Sequence, residues 1–139
     1  MSENNKTIVK RFIEEYQAQN DLNVLYEIVS PDLVNRTPMF PNAPGGPVEV
    51  KTIFDMFRAA FDDFGVEIID QLAEGDKVVT YKAFSGVHHG DFMGIAPTGS
   101  PVRFTVIDIV RLRGGQIVEH WGLVDQLGLL QQLGVPAIR

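Results

Sequence analysis

The sequence predicts an α+β fold in which helices come first and a curved, mainly antiparallel sheet follows. Three features carry this expectation: helical spacing of apolar residues before Gly65, a change to alternating spacing after it, and tight-turn signals between the later apolar runs. The length of 139 residues suits one domain, 1–139, large enough to bury a core.

From Lys6 to Gln17, Ile8, Val9, Phe12, Ile13 and Tyr16 recur at three- and four-residue steps, with Lys10, Arg11, Glu14, Glu15 and Gln17 on the other side. Asp21 suits the N-cap of a short second helix that carries Leu22, Leu25, Ile28 and Val29 and must stop near Ser30-Pro31, because proline removes a donor and restricts its predecessor. Leu33 to Thr37 reads as a short strand. Pro38, Pro41, Pro44 and Pro47 with Gly45-Gly46 then exclude regular structure, and a loop of this length is a candidate lid. Pro47 opens a third helix whose stripe of Val50, Ile53, Phe54, Phe57, Ala60 and Phe61 needs a sheet to cover.

Four strands follow, Val66–Leu72, Lys77–Val87, Val102–Leu112 and Gln116–Val124, with turns at Glu74-Gly75-Asp76 and Gly114-Gly115 and a Gly/Pro-rich segment between the middle two. A last helix is expected from Gln126 to Leu133, ended by Gly134 and Pro136. If Gly114-Gly115 is a two-residue turn with regular pairing, Arg113 meets Gln116, Asp108 meets Trp121 and Phe104 meets Asp125. That count puts Phe104, Val106, Asp108 and Val110 on one face with Glu119, Trp121, Leu123 and Asp125, and Ile107, Ile109, Val118, His120 and Val124 on the other. Helices cover only one face, so the second predicts a homodimer or higher oligomer. A bulge would shift the register and bring His120 inward.

Composition narrows the function. A net charge of −6 argues against nucleic acid, the absence of cysteine removes thiolate chemistry, and the polar N-terminus with no long apolar run argues for a cytoplasmic protein without a membrane span. His88, His89 and His120 lack metal-ligand spacing, so no metal site is expected. No Ser sits in a nucleophile elbow.

Asp108 interrupts the run Val106-Ile107-Asp108-Ile109-Val110 in mid-strand, where an acid has no turn or cap to make. It needs either an ion pair with Lys82, Arg103 or Arg111, or a cavity that raises its pKa. Asp125 stands where the last strand ends. It is either the N-cap of the terminal helix or a pocket carboxylate beside Trp121. His88 and His89 point to opposite faces, so at most one reaches a pocket.

The segment Gly86-Val87-His88-His89-Gly90-Asp91-Phe92-Met93-Gly94-Ile95-Ala96-Pro97-Thr98-Gly99, followed by Asp108-Ile109-Val110-Arg111 and Val118-Glu119-His120-Trp121, resembles the SnoaL-like polyketide cyclase (ester cyclase) family of the nuclear transport factor 2-like superfamily. The resemblance runs over nearly the whole chain. It implies a cone-shaped barrel, its bent sheet wrapped around the helices, with one deep apolar pocket, and an intramolecular aldol condensation without metal or organic cofactor. It also implies an acid/base Asp whose matching position is Asp125. Where family members often carry a His before the Pro-rich loop, this chain has Arg36.

The site expected from these readings has Asp125, Asp108 and His120 as catalytic residues and Arg36, His88, Phe104, Trp121 and Leu123 around a hydrophobic small-molecule substrate. Two rival chemistries on the same fold are an epoxide hydrolase, in which paired Asp residues with an Arg activate water, and a ketosteroid isomerase-like enzyme. A third reading is a non-catalytic binding module, since fold does not decide function.

Overall fold

The computed structural model describes residues 2–135, so the expected stop at Pro136 lies outside the described residues. Helix α1 (Ser2–Arg11) runs directly into a π-helical turn (Phe12–Gln17). A π turn closes its hydrogen bonds one residue later than an α turn. That extra residue rotates Gln17 from the polar side, where helical spacing places it, into the interior, where it is 5% exposed. Its final carbonyls are satisfied from outside: Arg58 Nη2 donates to Tyr16 O at 2.8 Å and to Gln17 O at 3.0 Å.

Helix α2 (Leu22–Ile28) begins at Asp21, whose carboxylate accepts the Asn23 N–H at 3.0 Å. It passes without a loop into β1 (Val29–Asn35), a strand that starts earlier than alternation alone suggests because Val29 and Ser30 are already buried. After the proline-rich loop come α3 (Gly46–Ala60), β2 (Phe61–Glu74), β3 (Lys77–His88), β4 (Pro101–Arg113), β5 (Gln116–Val124) and α4 (Gln126–Gln132).

The α+β class and the four-strand meander are as expected. The sheet has the order β1-β5-β4-β3-β2, antiparallel except for the parallel pair β1–β5 at one edge. Irregular pairing in β2 between Asp62 and Gly65 and between Ile68 and Asp70 bends it. The open sheet curls around the helices, whose apolar stripes meet its inner face. Along β3 and β4 the inner face is Val78, Thr80, Lys82 and Phe84 beside Phe104, Val106, Val110 and Leu112, all buried. Phe57 stacks on Phe64 with ring centres 5.7 Å apart, and Phe84 meets Phe104 edge-on at 5.6 Å. This aromatic cluster closes one end of the cone.

The β4–β5 hairpin departs from regular pairing at one residue. Arg113 meets Gln116 and Leu112 meets Ile117, but Arg111 meets Glu119, so Val118 is the extra residue of a bulge. Beyond it every pairing moves by one: Asp108 lies opposite Gly122, Ile109 opposite Trp121 and Val106 opposite Val124. Side chains alternate, so one inserted residue exchanges the faces of the rest of the strand. His120 and Val124 therefore turn inward and Trp121 turns outward, reversing the assignment from regular pairing. Among the described residues no helix is long and apolar enough to cross a membrane.

Candidate active site

Between the helices and the inner face of the sheet lies a cavity of about 460 Å³. Most of its wall is apolar, including Phe12, Val50, Ile53, Val106 and Val110. Such a composition suits a hydrophobic small molecule. One stretch of wall is polar, and its side chains form a continuous hydrogen-bonded chain.

The chain starts at Lys82, which alternation on β3 forces inward. Its ammonium is 2% exposed, donates to Gln17 Oε1 at 2.8 Å and pairs with Asp108 Oδ2 at 2.5 Å. Burial alone would push the Asp108 carboxyl up, but Lys82 and the hydrogen bond from His120 outweigh it and hold the group well below the ordinary carboxylate range. Of the three cations considered from the sequence, Lys82 is the partner. Arg103 pairs with Glu67, and Arg111 with Asp76 and Glu119. Asp108 also lines the cavity, so pairing and cavity coexist, with the shift downward rather than upward.

From Asp108 the chain continues through Oδ1, 2.7 Å from His120 Nε2, and from His120 Nδ1 to Asn35 Oδ1 at 2.8 Å. Asn35 Nδ2 donates to Glu49 Oε2 at 2.7 Å, and Glu49 Oε1 accepts the Gly45 N–H at 2.8 Å. Thr37 lies alongside, its hydroxyl accepting the Gly122 N–H at 2.8 Å. Two backbone features permit this assembly. A Cβ at Gly122 would lie 2.7 Å from Asp108 Oδ1 and 3.0 Å from His120 Nε2, so only glycine leaves room for the pair. At the start of α3, Gly45 has φ 74° and a Cβ there would meet Leu33 O at 2.7 Å, so the helix entrance docks directly on β1 and delivers Glu49 beneath Asn35.

The remaining expected residues sit elsewhere. Asp125 is exposed and caps α4, its Oδ1 accepting the Gly128 N–H at 2.9 Å, and it does not line the cavity. Trp121 packs on the outer face with Lys77 Nζ 5.4 Å from its ring centre, because the bulge at Val118 turned it over. Leu123 forms part of the cavity mouth and is 76% exposed. Phe104 is inward but belongs to the packed aromatic end. Arg36 points away from the cavity, because alternation gives the inward place to Asn35 two residues after Leu33.

Arg36 instead joins Arg111 on Glu119, at 2.8 and 2.9 Å, and the two guanidinium groups hold that carboxyl below its ordinary value. His88 is fully buried outside the cavity, its Nδ1 accepting the Thr98 N–H at 3.2 Å, while His89 is exposed beside Asp62. Neither Asp125 nor an arginine joins Asp108 among the described cavity residues, so the paired-acid and arginine arrangement of an epoxide hydrolase is not assembled. Among the described residues no group of three or more His, Asp or Glu side chains is placed to hold a metal ion. Asn35, Glu49, Thr37 and Gln17 were not expected. Alternation from Leu33 signals Asn35, whereas the π turn that brings in Gln17 has no comparable mark in the sequence.

Comparison with known proteins bears on the family and the fold. A family model described as SnoaL-like polyketide cyclase matches residues 7–133. The aklanonic acid methyl ester cyclase DauD of Streptomyces sp. (strain C5) is 27% identical over 134 residues, covering 93% of this chain and 81% of the relative. The nogalonic acid methyl ester cyclase of Streptomyces nogalater is 27% identical over 111 residues, or 79% and 83% of the two chains. Among solved structures, TsrD from Streptomyces laurentii superposes with a TM-score of 0.85 at 25% identity over 96% of this chain and 97% of its own. Wild-type IdmH from Streptomyces antibioticus superposes with a TM-score of 0.82 at 31% identity over 94% and 99%.

The buried pair makes a stability prediction. Asp108→Asn strands the Lys82 ammonium and should cost about 3–5 kcal/mol at neutral pH, whereas adding Lys82→Met should recover much of the loss. The folded carboxyl is held below its ordinary value. Its contribution is therefore complete above the unfolded carboxylate range near pH ~4 and fades as pH falls toward the folded value. Urea titrations as a function of pH should show a flatter acid limb in the double variant than in the wild type.

Proposed function

Because the chain belongs to the SnoaL-like polyketide cyclase family, we propose that it closes a ring in a hydrophobic polycarbonyl substrate by intramolecular aldol condensation, with Asp108 and His120 moving the proton and no cofactor. The observation that supports this most is a charge-paired carboxylate hydrogen-bonded to an imidazole on the wall of an apolar cavity. The names of the two Streptomyces ester cyclases point to the same chemistry.

In this reaction the Asp108 carboxylate accepts a proton from a methylene flanked by carbonyls. The resulting enolate carbon attacks a second carbonyl of the same molecule, and the new alkoxide takes a proton from His120. Transfer from Asp108 to His120 across their hydrogen bond restores the starting state. A carboxylate held this low is a weak base, which confines it to carbon acids already acidified by two carbonyls. Lys82 offsets the enolate charge beside a mostly apolar wall, and the cavity holds the two carbons together.

Asp108→Asn and His120→Gln should each lower kcat by roughly 10²–10⁴-fold on an activated β-dicarbonyl ester, the usual worth of acid–base help. Asp125→Asn, which still caps α4, should leave the rate near that of the wild type. A loss confined to Asp125→Asn would return the acid/base role to that residue.

The outer sheet face, where Tyr81 and Ile107 are 39% and 47% exposed and Trp121 lies opposite Ile109 on β5, is the proposed surface of a homodimer or higher oligomer. Sedimentation equilibrium at micromolar concentration should give a dimer or larger species, and Ile107→Lys should dissociate it. A monomer alone would contradict this assignment.

A further inference from the structure

Glu49 is 4% exposed on the first turn of α3, and among the described residues its hydrogen bonds come from neutral donors, the Asn35 amide and the Gly45 N–H. A buried carboxylate without a countercharge is costly, and a neutral amide of the same size would cap the turn more cheaply. The charge therefore calls for a purpose beyond capping, and Asn35 supplies one.

Two neighbours determine how the Asn35 amide is turned. Its nitrogen faces Glu49 Oε2, which only accepts, and its oxygen faces the Thr37 N–H at 3.1 Å, which only donates. The atom presented to His120 is thus the amide oxygen, 2.8 Å from Nδ1. An acceptor at that position requires Nδ1 to carry a proton. Nε2, at 2.7 Å from Asp108 Oδ1, is then the ring atom whose proton moves.

We infer that Glu49 is a positioning residue for the reaction: acting through Asn35, it fixes the orientation of the amide and thereby keeps a proton on His120 Nδ1, leaving Nε2 to exchange with Asp108. The inference rests on the reading of Asp108 and His120 as the proton-moving pair, although the placement of the ring proton is measurable without any substrate. It also joins the entrance of α3, and so the end of the proline-rich loop, to the reactive wall.

Glu49→Gln separates this role from capping. The Gly45 N–H claims the glutamine oxygen, which keeps the cap and turns the glutamine NH₂ toward Asn35. The Asn35 amide then meets a donor in either orientation, the introduced NH₂ if it stays and the Thr37 N–H if it turns, so its oxygen is no longer held against Nδ1. Nitrogen–proton correlation spectra of ¹⁵N-histidine-labelled full-length protein should show a bonded proton on His120 Nδ1 in the wild type. In Glu49→Gln that proton should be depleted at Nδ1, with the Nε2-protonated ring populated and both ring nitrogen shifts moved.

Unchanged His120 nitrogen shifts in a folded Glu49→Gln protein, or an unprotonated Nδ1 in the wild type, would overturn the inference. Should Glu49→Gln not fold, Asn35→Ala is measured in the same way, and a proton retained on Nδ1 there has the same force. With an active β-dicarbonyl substrate, Glu49→Gln should lower kcat by at least about tenfold while KM changes much less, as expected for a misdirected imidazole. Wild-type activity retained in Asp108→Asn and His120→Gln would defeat the proposed function, yet the spectra would still decide what Glu49 does.

Discussion

A lysine ammonium cannot be held inside an apolar cone unless a carboxylate reaches it, and the pairing of Lys82 with Asp108 is the constraint around which the other polar groups are arranged. Lys82 occupies an inward position between Thr80 and Phe84 on β3, and Asp108 lies on the neighbouring strand opposite Thr80. Once Lys82 engages Oδ2, Oδ1 is left for His120, and His120 in turn needs an acceptor at its other nitrogen, which Asn35 provides. Each group in the row from Gln17 to Glu49 satisfies its neighbour. Removing any one strands a buried donor or acceptor.

One inserted residue determines which side chains meet this pair. Without the bulge at Val118, alternation along β5 would aim Trp121 at Asp108 and leave His120 outside. With it, glycine lies opposite Asp108, where a missing Cβ lets the imidazole close on the carboxylate. The same shift moves Trp121 to the outer face, adding an aromatic surface to the region proposed for self-association.

Most of the architecture was legible in the sequence because it follows from periodicity: amphipathic helices, alternating strands and glycine turns each leave a local pattern. Asp108 was legible as a site residue because an acid in the middle of Val106-Ile107-Asp108-Ile109-Val110 has no structural excuse, and Lys82 was among the partners its burial required. What escaped depended on single-residue offsets. Nothing in Gln116-Ile117-Val118-Glu119 announces a bulge, and nothing in Phe12 to Gln17 announces a π turn. Gln17 and Trp121 were consequently assigned to the wrong sides. Arg36 was expected because it stands where the resembling family often carries a His, whereas alternation from Leu33 places Asn35 on the inner face. Asp125 at a strand end has the same local pattern whether it caps a helix or faces a pocket, and in the folded protein it forms the cap.

We propose that the row from Gln17 to Glu49 is the reactive wall of the cavity. Its most direct test is a crystal structure of the protein with a stable enolised β-diketone bound. The enol oxygen should lie within hydrogen-bonding distance of Lys82 or His120, with the central carbon facing Asp108. A diketone bound with its enol against Asp125, or a cavity left empty at saturating ligand, would exclude this row as the reactive wall.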